Sequence, residues 1–484
     1  MVQVAVIGGG FSGLASAHEL ERRLGDSARM TLFEASDRLG GKIRTCEFGA
    51  AGLQYESGVA ECYDFSSFGR DPLAELVRTL GLSTVPLEGG TVVVDGTILA
   101  DDAAVGRVHG PRTLASIQAF RRRARREVGA AAWYGGFTSA HNTHAWASRS
   151  GEDVLSLIPC PLARRHVRIT MHADLATEPH LVNGLVAWRN VLKSVPGVGA
   201  QYHIEGGMEQ LPRRLAARLA RTQVRLRAPV ARVARRTHGR FEVNAVAPDG
   251  TTRLPQVFDA VVVALPYATL RRIEWAGVDM AAAMARHAAH YDHPAHYLRV
   301  TALFDAPVWR RWIRGSYFML DAFDGCCVYD VPGPGSAGPA ALGWLLAGEA
   351  ARRHAAESEG ALVERMLASL PARMAAEARP RFLEARVHRW PSALCGQPGG
   401  LWLRDPLAAH RPLPQCPGLA VAGDYLFDST LNGALRSASI AAGIVEQAVA
   451  PRHRRATAIE LGAATRPPIP ATRGQENNRS ICQA

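Results

Sequence analysis

The stretch VQVAVIGGGFSGLASAHEL (Val2–Leu20) leaves a chain few ways to fold. Val2–Ile7 is a short, mainly apolar run of the kind that fills a buried parallel strand. It runs into Gly8, Gly10 and Gly13, spaced G-x-G-x-x-G, and then into a helical pattern with Leu14, Ala17, His18, Leu20 and Leu24 on one face. One glycine allows the tight turn, one lets the backbone approach a pyrophosphate, and one lets the helix pack closely on the strand. The free N–H groups at the helix start then face the phosphates. A second strand, Met30–Phe33, ends at Glu34, 21 residues after Gly13. A carboxylate there accepts hydrogen bonds from the ribose of an adenosine and repels a 2′-phosphate. This order of elements predicts a dinucleotide site in a Rossmann-type α/β domain.

A length of 484 residues, 47% of them hydrophobic, suits two joined domains with a large core. No apolar run reaches transmembrane length, and a first strand starting at Val2 predicts a chain without a cleaved leader. The eight cysteines form no C-x-x-C pair, which reads as reduced thiols in a cytoplasmic protein. The net charge of +12 is concentrated in Arg121, Arg122, Arg123, Arg125 and Arg126, and in Arg452, His453, Arg454 and Arg455. Neither cluster has interleaved aromatics or a nucleic-acid motif, so both read as solvated faces. The expected partner is a small-molecule substrate, with no nucleic acid and no integral membrane segment.

The string EASDRLGGKIRT (Glu34–Thr45) resembles the signature that follows the second strand in the flavin-containing amine oxidase superfamily. That superfamily includes monoamine, polyamine and L-amino-acid oxidases, protoporphyrinogen oxidase and phytoene-type desaturases. Its E-A-x-x-R-x-G-G-R-x-x-T pattern is met at Glu34, Ala35, Arg38, Gly40, Gly41 and Thr45, with Lys42 in place of an arginine. The resemblance implies FAD as cofactor, with Gly41 and Lys42 in its binding site. Lys42 keeps the charge near the pyrophosphate but loses the planar fork; read as residues alone, Lys42 and Arg44 are surface cations.

Further segments resemble the same superfamily. YESGVAECYD (Tyr55–Asp64) stands where members pass beside the flavin ring, so Gly58 and Val59 are expected to offer it backbone; read locally, it is a turn before a helix at Pro72–Leu80. Val230 takes the place of a valine whose backbone meets the adenine, although alone it reads as core. GLAVAGDYLFDSTLNGALRSASIAAGIV (Gly418–Val445) reads as strand, loop and helix. There the resemblance sets Asp424 against the ribityl–phosphate region and Leu431, at the helix start, against the pyrimidine edge. Trp390 resembles an aromatic lining the flavin-side cavity, with a core tryptophan as the alternative.

The most informative departure is in YLRVTALFDAPVW (Tyr297–Trp309), which alternates like a long strand. Amine and polyamine oxidases carry a lysine near flavin N5 at a position that here is Arg299, with Phe304 and Trp309 in the matching places beyond it. Arginine stays protonated and cannot serve as a titrating base. It can hold a water, stabilise charge on the reduced flavin, clamp a substrate carboxylate, or be a strand-edge cation. Nearby, His287, His290, His293 and His296 recur every three residues, but Pro294 interrupts them; no metal site is expected, and one histidine could act as a base.

The remaining chain predicts a hairpin at Thr91–Leu99 around Asp95-Gly96, strands in SYFML, CCVYD and ALGWLLAG, and one helix over Arg352–Ala378. The expected architecture is α/β plus α+β. Residues 1–70, 206–275 and 391–450 form the FAD-binding domain. Residues 71–205 and 276–390 form a substrate domain, a mixed sheet with helices on one side, and 451–484 form a disordered tail. The expected activity is hydride transfer from a C–N bond of an amine or amino acid to flavin N5, with oxygen as acceptor. Oxidation of a C–C bond, as in a desaturase, and flavin binding without catalysis are the alternatives.

Overall fold

The computed structural model describes residues 1–129, 144–195, 198–247, 249–251, 254–333, 335, 337–401, 405–427 and 429–463, with backbone only for 451–463. Its first layer is a five-stranded sheet in the order Thr222–Arg225, Ala28–Phe33, Val2–Ile7, Ala260–Val263, Leu419–Val421, every pair parallel. Four distant stretches of sequence thus meet in one sheet. Ala260–Val263 and Leu419–Val421 are apolar throughout because both faces are buried, whereas the edge strand Thr222–Arg225 has no buried residue. Val4, Val6 and Leu32 face the helices Phe11–Leu24 and Leu431–Ala463, where Leu14, Ala17, Ala438 and Ala442 pack without exposure. Ala5, Ile7, Val261 and Val263 face a second, four-stranded sheet through Phe241 and Val243.

A seven-stranded sheet forms the other half, in the order Phe382–Cys395, Pro294–Phe304, Ala340–Ala347, Cys326–Val331, Tyr317–Leu320, Thr91–Val94, Thr97–Leu99. It is mixed: Tyr317–Leu320 runs parallel to Thr91–Val94, and the other pairs are antiparallel. The expected hairpin is present, with positive φ of 50° at Asp95 and 72° at Gly96, the backbone that a primed two-residue turn needs. Period-two alternation decides what this sheet offers to each side. Leu298, Val300, Ala302 and Phe304 enter the core under the helices Gly348–His354, Glu359–Ser369 and Ala372–Ala378. The alternate residues, Tyr297 and Arg299, face a cavity.

Four expectations are corrected. Helices cover both faces of this sheet, because Pro161–Leu175 packs on the opposite side through Ala173 against Cys327 and Tyr329. The single helix expected over Arg352–Ala378 is three. Ser358 caps a fresh start by accepting from Ala361 N, and Pro371 opens another, since proline cannot continue a helix with its N–H bonded. The long strand starts at Pro294 rather than Tyr297 and stops at Phe304. The last helix, Leu431–Ala463, runs past the expected end at Ala450; residues 464–484 and the side chains of Arg452, His453, Arg454 and Arg455 lie outside the described residues. The seven described cysteines are free thiols, and no helix among the described residues is long and apolar enough to cross a membrane.

Two buried histidines predict acid sensitivity. Burial pushes both His166 and His410 down to about 4; the nearby Arg121 charge assists at His166. In the unfolded chain each titrates near about 6.5. The unfolded state therefore binds more protons between these values, and stability is lost as pH falls through the window, by at most about 1.4 kcal/mol per pH unit for each group. Urea unfolding is expected to be harder at pH 7 than at pH 5, with a shallower pH slope in His410→Gln.

Candidate functional site

One cavity of about 780 Å³ runs from the glycine-rich turn into the seven-stranded sheet. At its outer end are Gly8, Gly10, Glu34, Gly41 and Lys42, with Val230 on the wall formed by the four-stranded sheet. Gly8 has φ +106°, and an added Cβ would lie 2.4 Å from the Ala264 carbonyl oxygen, so the turn requires glycine. Gly41 comes against Gly10, whose Cα would sit 3.0 Å from a Cβ at position 41. The helix Phe11–Leu24 starts with no side-chain cap, leaving its first N–H groups to the cavity lined by Gly10, Phe11 and Ser12. Gly13 is the exception: it does not line the cavity. A Cβ there would meet Gly8 O at 1.9 Å, so its position serves the close packing of helix on strand.

Glu34 reaches the cavity with its carboxylate already oriented. Oε2 accepts from Gly9 N at 2.7 Å, and Oε1 accepts from Ser36 N and Ser36 Oγ, both at 2.8 Å. Lys42 and Asp424 pair directly: Lys42 Nζ donates to Asp424 Oδ2 at 2.6 Å and to the Ala393 carbonyl at 3.0 Å. Asp424 and Leu431 line the same stretch, where the C-terminal helix begins.

At the inner end, Gly58 and Val59 form one edge and Trp390 another. Trp390 Nε1 donates to the Ser57 carbonyl at 2.7 Å and so fixes the segment that carries Gly58. Gly58 leaves no room for a side chain, since a Cβ would lie 1.9 Å from Lys42 O. Arg299 is only 4% exposed; its Nη1 donates to the Glu56 carbonyl at 3.2 Å, and its guanidinium lies 5.0 Å from the centre of the Tyr329 ring. Phe304 and Trp309, on the opposite face, pack edge to face at 5.2 Å within the core. His388, across the strand pair from Arg299, is pushed down to about 4 by burial and by that cation.

The four spaced histidines line no part of this cavity. His287 and His290 end one helix, while Pro294 opens the strand holding His296; His287 bonds Tyr425 Oη at 3.0 Å, and His296 Nδ1 accepts from Ser392 N at 3.2 Å. Among the described residues no cluster could hold a metal ion. Cys395 also lies outside the cavity wall; its thiol donates to the Tyr291 carbonyl at 3.5 Å, and burial pushes it up to about 12.

The sequence model of a family described as flavin-containing amine oxidoreductase matches residues 11–445. The chain belongs to this family. Similar folds include a putrescine oxidase bound to putrescine, with a TM-score of 0.70 and 20% identity over 91% of this chain and 98% of that one. Another is cyclohexylamine oxidase from Brevibacterium oxydans IH-35A, with a TM-score of 0.66 and 21% identity over 92% and 99%. Coproporphyrinogen III oxidase of Mycobacterium bovis is 45% identical over 78 residues, a match that spans 16% of this chain and 16% of that relative's length.

Membership makes the cofactor FAD and the chemistry oxidation–reduction. The cavity fits that group: it joins the uncapped start of the Phe11–Leu24 helix, a glycine-lined turn where a Cβ would collide, and an oriented carboxylate beside it. Beyond the expected residues, the chamber is lined by Glu61, Tyr63, Asp174, Lys193, Tyr297 and Tyr329. Glu61 and Tyr63 lie within YESGVAECYD, two and four residues past Val59, the one local signal that could have found them.

Proposed function

We propose that this protein is an FAD-dependent oxidoreductase that takes a hydride from a C–N bond of an amine or amino acid, with oxygen as acceptor. The observation that carries this reading is the single cavity, which begins at the glycine turn and ends in a buried chamber bearing Glu61, Asp174, Lys193 and Arg299. Such a chamber suits a polar substrate better than a polyene. On this reading the five-stranded parallel sheet is a Rossmann-type cofactor domain, and the seven-stranded sheet supplies the substrate chamber.

When bound, FAD supplies the two-electron acceptor. The chain's own residues position it: Glu34 would hold the ribose, the start of the Phe11–Leu24 helix the pyrophosphate, Lys42 and Asp424 the phosphate–ribityl region, and Val230 the adenine. Leu431 opens a helix whose positive dipole end favours negative charge at the ring. Gly58 and Val59 offer backbone to the ring, and Trp390 holds that segment through Ser57. Arg299 supplies a fixed positive charge in a dry site, where it can orient a carboxylate or a water but not titrate.

Asp424→Asn and Lys42→Met are each expected to weaken FAD binding about tenfold, the loss of roughly one charge-assisted contact. Because the two side chains contact each other, the double variant should lose less than the sum; fluorescence titration with FAD measures all three. The function itself is tested by adding putrescine, cyclohexylamine, L-amino acids and a polyene anaerobically to the FAD-loaded protein. Bleaching by an amine or amino acid, with peroxide formed in air, supports the reading. Arg299 in place of a lysine, and the likeness to coproporphyrinogen III oxidase, favour a second reading, oxidation of a C–C bond. Bleaching by a C–C substrate alone selects it, and a flavin that nothing bleaches contradicts both.

A further inference from the structure

The deep end of the chamber holds an acid–phenol chain. Glu61 Oε2 accepts from Tyr329 Oη at 2.6 Å, and Glu61 Oε1 from Tyr63 Oη at 3.0 Å. Tyr63 Oη also lies 3.4 Å from both carboxylate oxygens of Asp174. Tyr63 has one hydrogen to give and two carboxyl groups beside it. With Glu61 ionised, Tyr63 and Tyr329 both donate to it, and Asp174 keeps the Asn190 amide at 3.1 Å and the Lys193 ammonium at 3.2 Å. With Glu61 protonated, its O–H donates to Tyr63, which turns its own hydrogen to Asp174. Both protonation states of Glu61 are thus satisfied by partners already in place, the property a proton acceptor needs.

The elements packed around Glu61 agree. The strand Pro294–Phe304 brings Tyr297, whose hydroxyl lies 3.2 Å from the Asp174 carbonyl, and Arg299 against the Tyr329 ring. Strands Tyr317–Leu320 and Cys326–Val331 bring Tyr317 and Cys327, and Lys193 lies 4.3 Å over the Tyr63 ring. Burial, then the Asp174 charge, raise Glu61 above the usual carboxylate value, against the opposing pull of Tyr329, Tyr63 and Lys193. The phenols and the Cys327 thiol are held neutral by burial.

We propose that Glu61 accepts the proton the substrate sheds, and that Tyr63, Asp174 and Lys193 form the relay that holds it. This rests on the amine-oxidation reading. A neutral amine loses a C–H bond, whose electron pair and hydrogen leave as hydride to FAD. It also loses an N–H bond, whose proton goes to Glu61 and whose electron pair becomes the C=N π bond. Arg299 cannot take that proton.

Two measurements on the full chain test this. Infrared spectra across a pH series should contain a protonated-carboxyl band that disappears as pH rises and is missing in Glu61→Gln. In Asp174→Asn, where the like charge has gone, its midpoint should move to lower pH. A band unchanged in Glu61→Gln, or a midpoint unmoved in Asp174→Asn, overturns the proposal. Where putrescine or cyclohexylamine bleaches the flavin, the anaerobic rate should rise with pH through that same midpoint. Glu61→Gln should abolish this limb and slow the step by about 10²-fold or more, with FAD affinity unchanged; a retained limb overturns the proposal. If neither amine bleaches the flavin, the functional reading fails, while the infrared series still decides whether Glu61 holds a proton under the influence of the Asp174 charge.

Discussion

Gly13→Ala is expected to abolish FAD retention and lower the melting temperature. A Cβ at position 13 would lie 1.9 Å from Gly8 O, 3.0 Å from Gly8 C and 3.4 Å from Ala264 Cβ. The first two are backbone atoms, so no rotamer change relieves the overlap. The helix Phe11–Leu24 must lift from the strand Val2–Ile7, which disturbs the turn at Gly8 and Gly10 and withdraws the helix start from the cavity. Overpacking of this kind costs about 1–3 kcal/mol, and more where backbone must move. Gly49→Ala is the control, because a Cβ there meets nothing within 4 Å. Thermal unfolding and flavin absorbance after gel filtration should separate the two variants; equal retention of FAD would contradict this role for Gly13.

Arg299→Met is expected to leave FAD bound but to slow its anaerobic reduction by about 10²-fold, the usual scale for losing a buried group aimed at developing charge. Methionine keeps most of the volume while removing the contact to the Glu56 carbonyl and the cation over Tyr329. The neighbours report the loss independently. Arg299 helps hold His388 down, so the histidine should titrate at higher pH in the variant, which NMR of the imidazole detects. Its charge also restrains the pKa of Glu56, which burial raises, so that carboxyl should move up further. A normal reduction rate together with a shifted His388 would make Arg299 a structural cation.

These effects mirror what was legible in the chain. The glycine spacing, the continuous apolar strands and the Asp95-Gly96 hairpin are local devices, and each appears where its residues predict it. Of the proposed cofactor and chamber residues, all but Gly13 line one cavity, because the turn, the ring-side segment and the last helix each carry a local signature. Three features were not legible for a common reason: tertiary contact creates them. Lys42 and Asp424 lie 382 residues apart and pair only because two chain ends meet. Asp174 and Lys193 end adjacent helices, and no spacing links them to Glu61. Helices on both faces of the large sheet follow from the burial of Ala173 against Cys327 and Tyr329, which strand alternation alone does not announce. The break in the His287–His296 spacing was legible, since Pro294 divides the regular pattern between a helix and a strand.

The central claim is that the cavity from Gly8 to Arg299 holds FAD with its ring against Gly58 and Trp390. The most direct test is the visible spectrum of the full chain titrated with FAD and followed together with tryptophan fluorescence, in the native chain and in Trp390→Phe. The account predicts one FAD per chain, a flavin spectrum perturbed from that of free FAD, and fluorescence quenching that falls in the variant. A chain that takes up no FAD, or binds it with a spectrum and quenching indifferent to Trp390, would contradict it.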